Sequence, residues 1–297
     1  MMVADGATLP FDRFMEWALY HPETGYYRQA PEAILGRHGD FFTASQLQPA
    51  FGSLIALLLP QEPVLELGAG RREMRDAFRP RLYRSVSLSD ELPDTWHGSI
   101  FANEFFDALP VAAGVRRGDE FRELLVRRTG SNFAWHEGPP LSGERLKYVK
   151  RYYPLIPDGS RFEIAERAGH SLRRIDKCLA EGTVLIIDYG WSANEYLRFP
   201  EGTLMSYSRH SASADVLAGP GSRDITAHVP FGFLMDVARE CGFTSIRFET
   251  LAQTLLRALE NAPRWTNDAR FAAQLKTLLF GMGQSFRVLT LRKDRAK

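Results

Sequence analysis

One short segment of the sequence joins an acidic residue to a glycine turn, and it could hold a ligand. Glu66, Gly68, Ala69 and Gly70 follow a short apolar run. Glycines let the backbone approach a ligand closely, and the N-terminus of a following helix would offer N–H groups to a carboxylate or phosphate. A structural turn between a strand and a helix uses glycine as readily, so this segment alone leaves both interpretations open.

A second segment, which ends another apolar run, places two carboxylates and an amide among aromatic residues: Asn103, Glu104 and Asp107. Ligands of open α/β sheets bind at the carboxyl ends of strands, where Glu104 and Asp107 could orient a nucleophile or accept its proton. The alternative is that Asp107 caps the next turn and that the neighbouring phenylalanines belong to the core.

Two N-terminal segments, 21–27 and 36–43, combine aromatic and polar residues with glycines in predicted loops. They contain Tyr26, Tyr27 and Asp40. This composition favours a binding surface, and the alternative is a packed N-terminal lid.

A further pair of polar residues, Asp224 and His228, lies four positions apart and would share one face of a helix. An isolated His–Asp contact is more often structural than catalytic. No Gly-x-Ser-x-Gly elbow accompanies the pair, which disfavours a hydrolase.

The elements that must position these residues alternate between helix and strand patterns. Apolar residues at helical spacing predict a helix over 11–20, and a second helix over 51–59. Continuous β-branched and apolar runs predict buried strands. The predicted strands are 63–68, 99–103, 182–190, 244–248 and 286–291, with a hairpin over 121–135 and helices over 164–179 and 233–240. This order predicts an α/β sheet.

Length and composition restrict the protein class. A chain of 297 residues with 44% hydrophobic and 25% charged residues fits one large globular domain, or a core domain with a cap. The net charge of +1 gives no global reason to bind nucleic acid or an anionic membrane. Cys178 and Cys241 are isolated, which disfavours a disulfide framework and a zinc site. The longest apolar run, 54–59, is too short to span a membrane, and residues 1–10 resemble no targeting leader, so we expect a cytoplasmic protein.

Six segments in order resemble the MidA-like family of SAM-dependent methyltransferases, which includes a mitochondrial complex I assembly factor that methylates a protein arginine. They are ALYHPETGYY, GRHGDFFTASQLQPAFG, VLELGAG, FANEFFDALPV, VLIIDYG and DITAHVPF. The resemblance runs from about residue 11 to 292. It implies an α/β, Rossmann-like class I methyltransferase fold: a mostly parallel seven-strand sheet whose last strand is antiparallel. It also implies a helical cap at 1–59 and a methyltransferase domain at 60–297, with substrate-side insertions at about 112–160 and 191–230.

The resemblance also implies roles for individual residues. SAM would be bound by Glu66, Gly68, Ala69, Gly70 and Asn103. The catalytic residues near the methyl group would be Asn103, Glu104 and Asp107. The substrate side would be lined by Tyr26, Tyr27, Asp40, Asp188, Tyr189, Asp224 and His228. The acceptor would be a protein side chain, arginine-like, or a medium-sized molecule; no metal, nucleic acid or membrane is implied, and a homodimer is open.

The chain departs from the family pattern at two places. Arg72 and Glu73 stand where the family usually has glycine and threonine. The stretch from 71 to 100 is short, so strand two is shortened or deleted, and the acid that would hold the SAM ribose has no obvious counterpart unless Asp90 or Glu91 replaces it. Two hypotheses follow: an active methyltransferase, or a degenerate relative that keeps the fold as an assembly or interaction protein.

Overall fold

A computed structural model describes residues 4–28, 44–59, 62–87, 90–208, 211–260 and 268–295. Within these ranges the α-helices are α1 (Phe11–Tyr20), α2 (Ala50–Leu58), α3 (Gly143–Tyr152), α4 (Glu166–Cys178), α5 (Phe231–Glu240), α6 (Leu251–Glu260) and α7 (Ala269–Lys276). The strands are β1 (Thr8–Pro10), β2 (Val64–Leu67), β3 (Tyr83–Val86), β4 (Trp96–Asn103), β5 (Ala112–Arg117), β6 (Glu120–Thr129), β7 (Asn132–Pro140), β8 (Arg161–Ile164), β9 (Leu179–Trp191), β10 (Met205–Ser208), β11 (Ser211–Ser213), β12 (Asp224–Thr226), β13 (Val229–Pro230), β14 (Ser245–Thr250) and β15 (Phe286–Lys293). None of the described helices is both long and apolar enough to cross a membrane.

The chain divides into two compact units. The first comprises Met1–Phe41, Asp107–Gly169 and Trp191–Phe233, and the second comprises Phe42–Phe106, His170–Gly190 and Leu234–Lys297. This division differs from the predicted boundary at residue 59, because α2 packs into the core of the second unit. The two predicted insertions belong to the same unit as α1.

The second unit is built on a mixed sheet in the order β14-β15-β9-β4-β2-β3. Strands β3, β2, β4 and β9 pair in parallel, whereas β15 is antiparallel to β9 and to β14. The side chains of β2 are all buried, as expected for a parallel strand that is covered on both faces. The predicted α/β fold is confirmed. The sheet has seven strands, because the short strand β13 also pairs with β9. The mostly parallel seven-strand arrangement is not confirmed, because the sheet is mixed.

The chain after β2 forms turns instead of the expected helix. Residues 70–80 make a succession of turns, and Arg72 has a φ of +62°, a left-handed conformation that cannot continue an α-helix. The four-residue strand β3 then pairs in parallel with β2. A short strand therefore stands beside β2, and a following helix N-terminus is not available to a ligand there.

The first unit contains a five-stranded antiparallel sheet in which β6 and β7 form the predicted hairpin. The predicted helix α1 packs on this hairpin through Phe11 against Trp135 (ring centroids 4.9 Å apart) and Phe14 against Phe133 (5.1 Å). A smaller sheet has the order β11-β10-β12. Asp224 lies in β12, paired with Tyr207 of β10, so Asp224 and His228 do not share a helix face. Backbone pairing with β10 satisfies residues 224–226 as a strand.

Candidate functional site

The first glycine segment forms a tight turn at the carboxyl end of β2. Gly68 and Gly70 have φ values of +66° and +49°, which residues with a Cβ rarely adopt. A Cβ at Gly68 would lie 2.8 Å from Cδ2 of Phe105, so the backbone approaches that ring closely. The Gly68 N–H donates to the Val86 carbonyl at 2.9 Å. The glycine turn therefore contacts Phe105, which follows β4, and is hydrogen-bonded to the end of β3.

The residue that replaces the family's glycine closes the same turn. The Arg72 N–H donates to the Ala69 carbonyl at 2.6 Å. Its side chain is exposed and does not fill a buried pocket.

The acidic residue of β2, Glu66, is 4% exposed and accepts a hydrogen bond from the Tyr83 hydroxyl at 2.5 Å. Burial raises the pKa of Glu66 to about 8, and the hydrogen bond from Tyr83 opposes the rise. Burial and the nearby Glu66 also raise the pKa of Tyr83. The hydroxyl therefore remains the donor of this pair.

At the end of β4, one carboxylate oxygen gathers two chain segments. Glu104 Oε1 accepts from Asn103 Nδ2 at 2.9 Å and from the Ala44 N–H at 3.1 Å. Glu104 has a φ of +50°, an uncommon conformation for a residue with a side chain. In the described part of the chain, the buried Oδ1 of Asn103 accepts no hydrogen bond.

Asp188, at the end of β9, holds the backbone that follows Glu104. Its fully buried carboxylate accepts from the N–H groups of Phe105 (3.2 Å) and Phe106 (2.8 Å) through Oδ2, and from that of Tyr189 through Oδ1. The Tyr189 ring packs on Phe286, with centroids 3.9 Å apart. These two predicted substrate-side residues thus position the strand ends of the second unit.

A cleft opens at the carboxyl ends of β2 and β3. Its apolar lining includes Leu67, Val86 and Phe105, and its polar lining includes Asp90 and Arg174. Asp90 also accepts a hydrogen bond from the Ser87 N–H at 2.6 Å. Arg174 lies on α4, and the sequence carried no signal for it beyond a polar helical position.

The first unit brings together a cluster of tyrosines and carboxylates that are distant in sequence. The Tyr27 hydroxyl donates to Asp224 Oδ1 at 2.9 Å, and the Tyr27 ring stacks on Tyr20, with centroids 5.4 Å apart. Asp107 is 6% exposed and Asp224 is 2% exposed. We call Tyr20, Tyr27, Asp107, Tyr207 and Asp224 the tyrosine–aspartate cluster.

The charges of this cluster act on its hydroxyl groups. Burial, Asp224 and Asp107 hold the pKa of Tyr20 well above its usual value, and the same three causes act on Tyr27. The pKa of Tyr207 is raised by burial and then by the same carboxylates. The hydroxyls of Tyr20, Tyr27 and Tyr207 therefore stay protonated beside these two carboxylates. Asp107, Tyr27 and Asp224 were predicted as site residues from the sequence, whereas Tyr20, which lies in the segment ALYHPETGYY, and Tyr207 were given no role.

The remaining predicted residues lie elsewhere or outside the described residues. Tyr26 is fully buried with its ring edge against Tyr27, so it belongs to the core beneath the cluster. The His228 N–H donates to Thr203 Oγ1 at 3.0 Å, and its ring packs on Phe199. Asp40 lies outside the described residues.

A family model decides the class of enzyme. The model for putative S-adenosyl-L-methionine-dependent methyltransferases matches residues 57–249, nearly two thirds of the chain. The chain belongs to this family. It is a SAM-dependent methyltransferase with SAM as its cofactor, and the hypothesis of a degenerate relative is set aside.

Curated relatives and solved structures agree with this family. The chain is 26% identical to the mitochondrial protein arginine methyltransferase NDUFAF7 of Danio rerio (76% of this chain, 67% of the relative) and 25% identical to its Drosophila melanogaster homolog (79% and 67%). A superfamily protein from Burkholderia thailandensis bound to S-adenosyl-homocysteine has a TM-score of 0.84 at 25% identity, covering 98% of this chain and 89% of that one. The native structure of a Burkholderia thailandensis protein of that superfamily has a TM-score of 0.81 at 26% sequence identity, and the match covers 98% of this chain and 89% of that one.

These relatives correct one expectation. The prediction of a cytoplasmic protein is wrong on this comparison, because the curated relatives are mitochondrial proteins. The composition of residues 1–10, on which the prediction rested, does not identify a compartment.

The residues of the second unit fit SAM. The apolar side of the cleft suits an adenine ring, and the Asp90 carboxylate suits the two hydroxyls of a ribose. The Asn103 Oδ1 is a buried acceptor that a ligand donor would satisfy. The glycine turn has positive φ values at Gly68 and Gly70, and neither residue carries a side chain that would keep a ligand from its backbone.

Proposed function

We propose that this methyltransferase methylates an arginine side chain of a protein, held by the tyrosine–aspartate cluster. The observation that carries the proposal is the pair of buried carboxylates, Asp107 and Asp224, among three tyrosines. A guanidinium group is always charged and offers N–H donors in a planar fork that matches a carboxylate. Its flat face also suits the stacked rings of Tyr20 and Tyr27. The relatives named as protein arginine methyltransferases support the same acceptor.

In this proposal the second unit holds the cofactor. Asp90 binds the ribose hydroxyls, Glu66 supports the glycine turn from beneath, and Gly68, Ala69 and Gly70 give the backbone that lies against the ligand. Bound SAM supplies a methyl group activated by its sulfonium.

The chain's own task is to orient the acceptor and take up its proton. The cluster would orient one guanidinium nitrogen for methylation and would take up the N–H proton that the methyl group displaces. We assign proton uptake to Asp107 and orientation to Asp224, which Tyr27 fixes by its hydrogen bond. Glu104 is a positioning residue, because its Oε1 is already engaged by Asn103 and Ala44.

A peptide assay tests this function. The enzyme is given SAM and matched peptides that carry arginine, lysine or glutamine at one position, and methyl incorporation is measured by mass spectrometry. We expect methylation of the arginine peptide alone, and a loss of at least tenfold in Asp224→Asn with unchanged binding of S-adenosyl-homocysteine. Asp119→Asn, an exposed carboxylate of the same unit, is the matched control. Equal methylation of the lysine peptide contradicts the proposal.

A further inference from the structure

Two buried amide atoms in the second unit lack a hydrogen-bond partner in the described part of the chain. They are Nε2 of Gln46 and Oδ1 of Asn103. The first is a donor and the second an acceptor. Buried amide groups are nearly always satisfied in folded proteins, so an unsatisfied donor and an unsatisfied acceptor together indicate a ligand with the complementary pair.

Glu104 connects Asn103 to the chain segment that carries Gln46. Its Oε1 accepts from both Asn103 Nδ2 (2.9 Å) and the Ala44 N–H (3.1 Å). Ala44 is the first residue of the 3₁₀ helix Ala44–Gln46. Gln46 therefore lies two residues after the Ala44 N–H that donates to Glu104. The left-handed conformation of Glu104 is the local backbone feature that accompanies this contact.

We propose that Gln46 and Asn103 bind the α-amino acid end of SAM. The Gln46 Nε2 donates to the α-carboxylate, and the Asn103 Oδ1 accepts from the α-ammonium. This assigns a cofactor contact to Gln46, which neither the glycine turn nor the sequence motifs indicated. The proposal rests on SAM as the cofactor and is independent of which group accepts the methyl.

The local charge fixes the direction of the ligand. The Glu104 carboxylate lies beside the Asn103 amide, so it attracts the ammonium to that side and disfavours the ligand's own carboxylate there. The carboxylate is left to the Gln46 side, where a neutral amide donor replaces the backbone N–H groups that a helix N-terminus would have offered. The absence of a helix in residues 70–80 makes such a side-chain donor useful.

Two ligands separate this contact from the rest of the cofactor site. S-Adenosyl-homocysteine carries the amino acid end, whereas 5′-methylthioadenosine keeps the adenosine and lacks it. Titration calorimetry measures both with wild type, Gln46→Leu and Gln46→Glu. We expect about tenfold weaker binding of S-adenosyl-homocysteine to Gln46→Leu and a larger loss for Gln46→Glu, with 5′-methylthioadenosine unchanged. Gln284→Glu, at an exposed position of the same unit, is the control that adds the same charge elsewhere.

A change in the ligand tests the same contact in the wild-type protein. Decarboxylated SAM lacks the group that Gln46 would bind, so wild type should prefer SAM over it about tenfold, and Gln46→Leu should show no preference. Equal binding of the two ligands by wild type overturns the proposal. So does a Gln46→Leu variant that binds S-adenosyl-homocysteine as wild type does, or that loses both ligands equally. Failure of wild type to bind S-adenosyl-homocysteine would instead contradict the cofactor assignment itself.

Discussion

The Tyr83 hydroxyl donates a hydrogen bond of 2.5 Å to the buried carboxylate of Glu66, across the neighbouring parallel strands β3 and β2. The short strand beside β2 therefore does more than complete the sheet. It supplies the partner for an acidic group directly below the glycine turn, where burial raises the pKa of Glu66 to about 8. In the folded protein this carboxyl keeps a proton to near-neutral pH.

This raised pKa makes folding stability depend on pH. Above pH 4.5 the unfolded Glu66 releases its proton while the folded one holds it until about pH 8. The free energy of unfolding attributable to Glu66 therefore falls as pH rises, by about 3 kcal/mol between pH 5 and 8. Urea unfolding of wild type and Glu66→Gln across this range measures the difference. Glu66→Gln should gain stability over wild type as pH rises, and a constant difference would contradict the assigned pKa.

The close approach of Gly68 to Phe105 predicts that alanine is poorly tolerated there. Gly68→Ala combines a positive φ with a Cβ only 2.8 Å from the ring, whereas Gly118→Ala has a φ of +56° and open space. The matched pair separates the two effects. We expect about 1–2 kcal/mol of destabilisation for Gly118→Ala and a larger loss for Gly68→Ala, with weaker S-adenosyl-homocysteine binding only in the latter. Equal losses would show that the ring contact is unimportant.

Asp188 predicts a separate effect on the segment after β4. Asp188→Asn weakens the hydrogen bonds from the N–H groups of Phe105 and Phe106 in a fully buried place. We expect about 1–3 kcal/mol lower stability in urea unfolding, because hydrogen bonds to a charged acceptor are the stronger kind. The exposed Asp119→Asn should change stability by less than about 0.5 kcal/mol. A neutral result at Asp188 would remove its positioning role.

Substitution of Asp90 is expected to weaken the binding of the cofactor. Asp90→Asn replaces the carboxylate proposed to hold the ribose hydroxyls with a neutral amide of nearly the same size. We expect S-adenosyl-homocysteine and 5′-methylthioadenosine to bind about tenfold more weakly, since both carry the ribose. Asp94→Asn, an exposed carboxylate nearby in sequence, serves as the control. Unchanged affinities at Asp90 would leave the ribose without its proposed partner.

The sequence was informative wherever one periodic pattern decided the structure. The apolar positions that predicted α1 are buried: Phe11, Phe14, Met15, Ala18 and Leu19. The β-branched run of β9 forms a strand in the middle of the sheet. The strand ends that carry Glu66 and Asn103 were found for the same reason. Continuous apolar runs indicate strands that are buried on both faces. The polar residues that follow such parallel strands lie at the same edge of the sheet.

The rest depends on contacts that local patterns do not record. Tyr27 meets Asp224 across 197 positions of sequence, and Asp224 is a strand residue because β10 pairs with it. Arg72 has a left-handed backbone conformation, so the helix expected after the glycine turn does not form there. Arg174 lies in a helix whose polar residues resemble ordinary surface, and Gln46 lies in a family segment in which its own role was not indicated. The roles of these residues depend on their neighbours in the folded structure, which residue spacing in the sequence does not indicate.

The most direct measurement is the chemical identity of the methylated product. Incubation of the enzyme with methyl-labelled SAM and a mixed protein substrate, followed by acid hydrolysis and amino acid analysis, assigns the label to one side-chain type. The tyrosine–aspartate cluster predicts label in methylated arginine, reduced at least tenfold by Asp224→Asn and retained by Asp119→Asn. Label in methyl-lysine, in a carboxyl methyl ester or in a non-protein fraction would contradict an arginine acceptor held by this cluster.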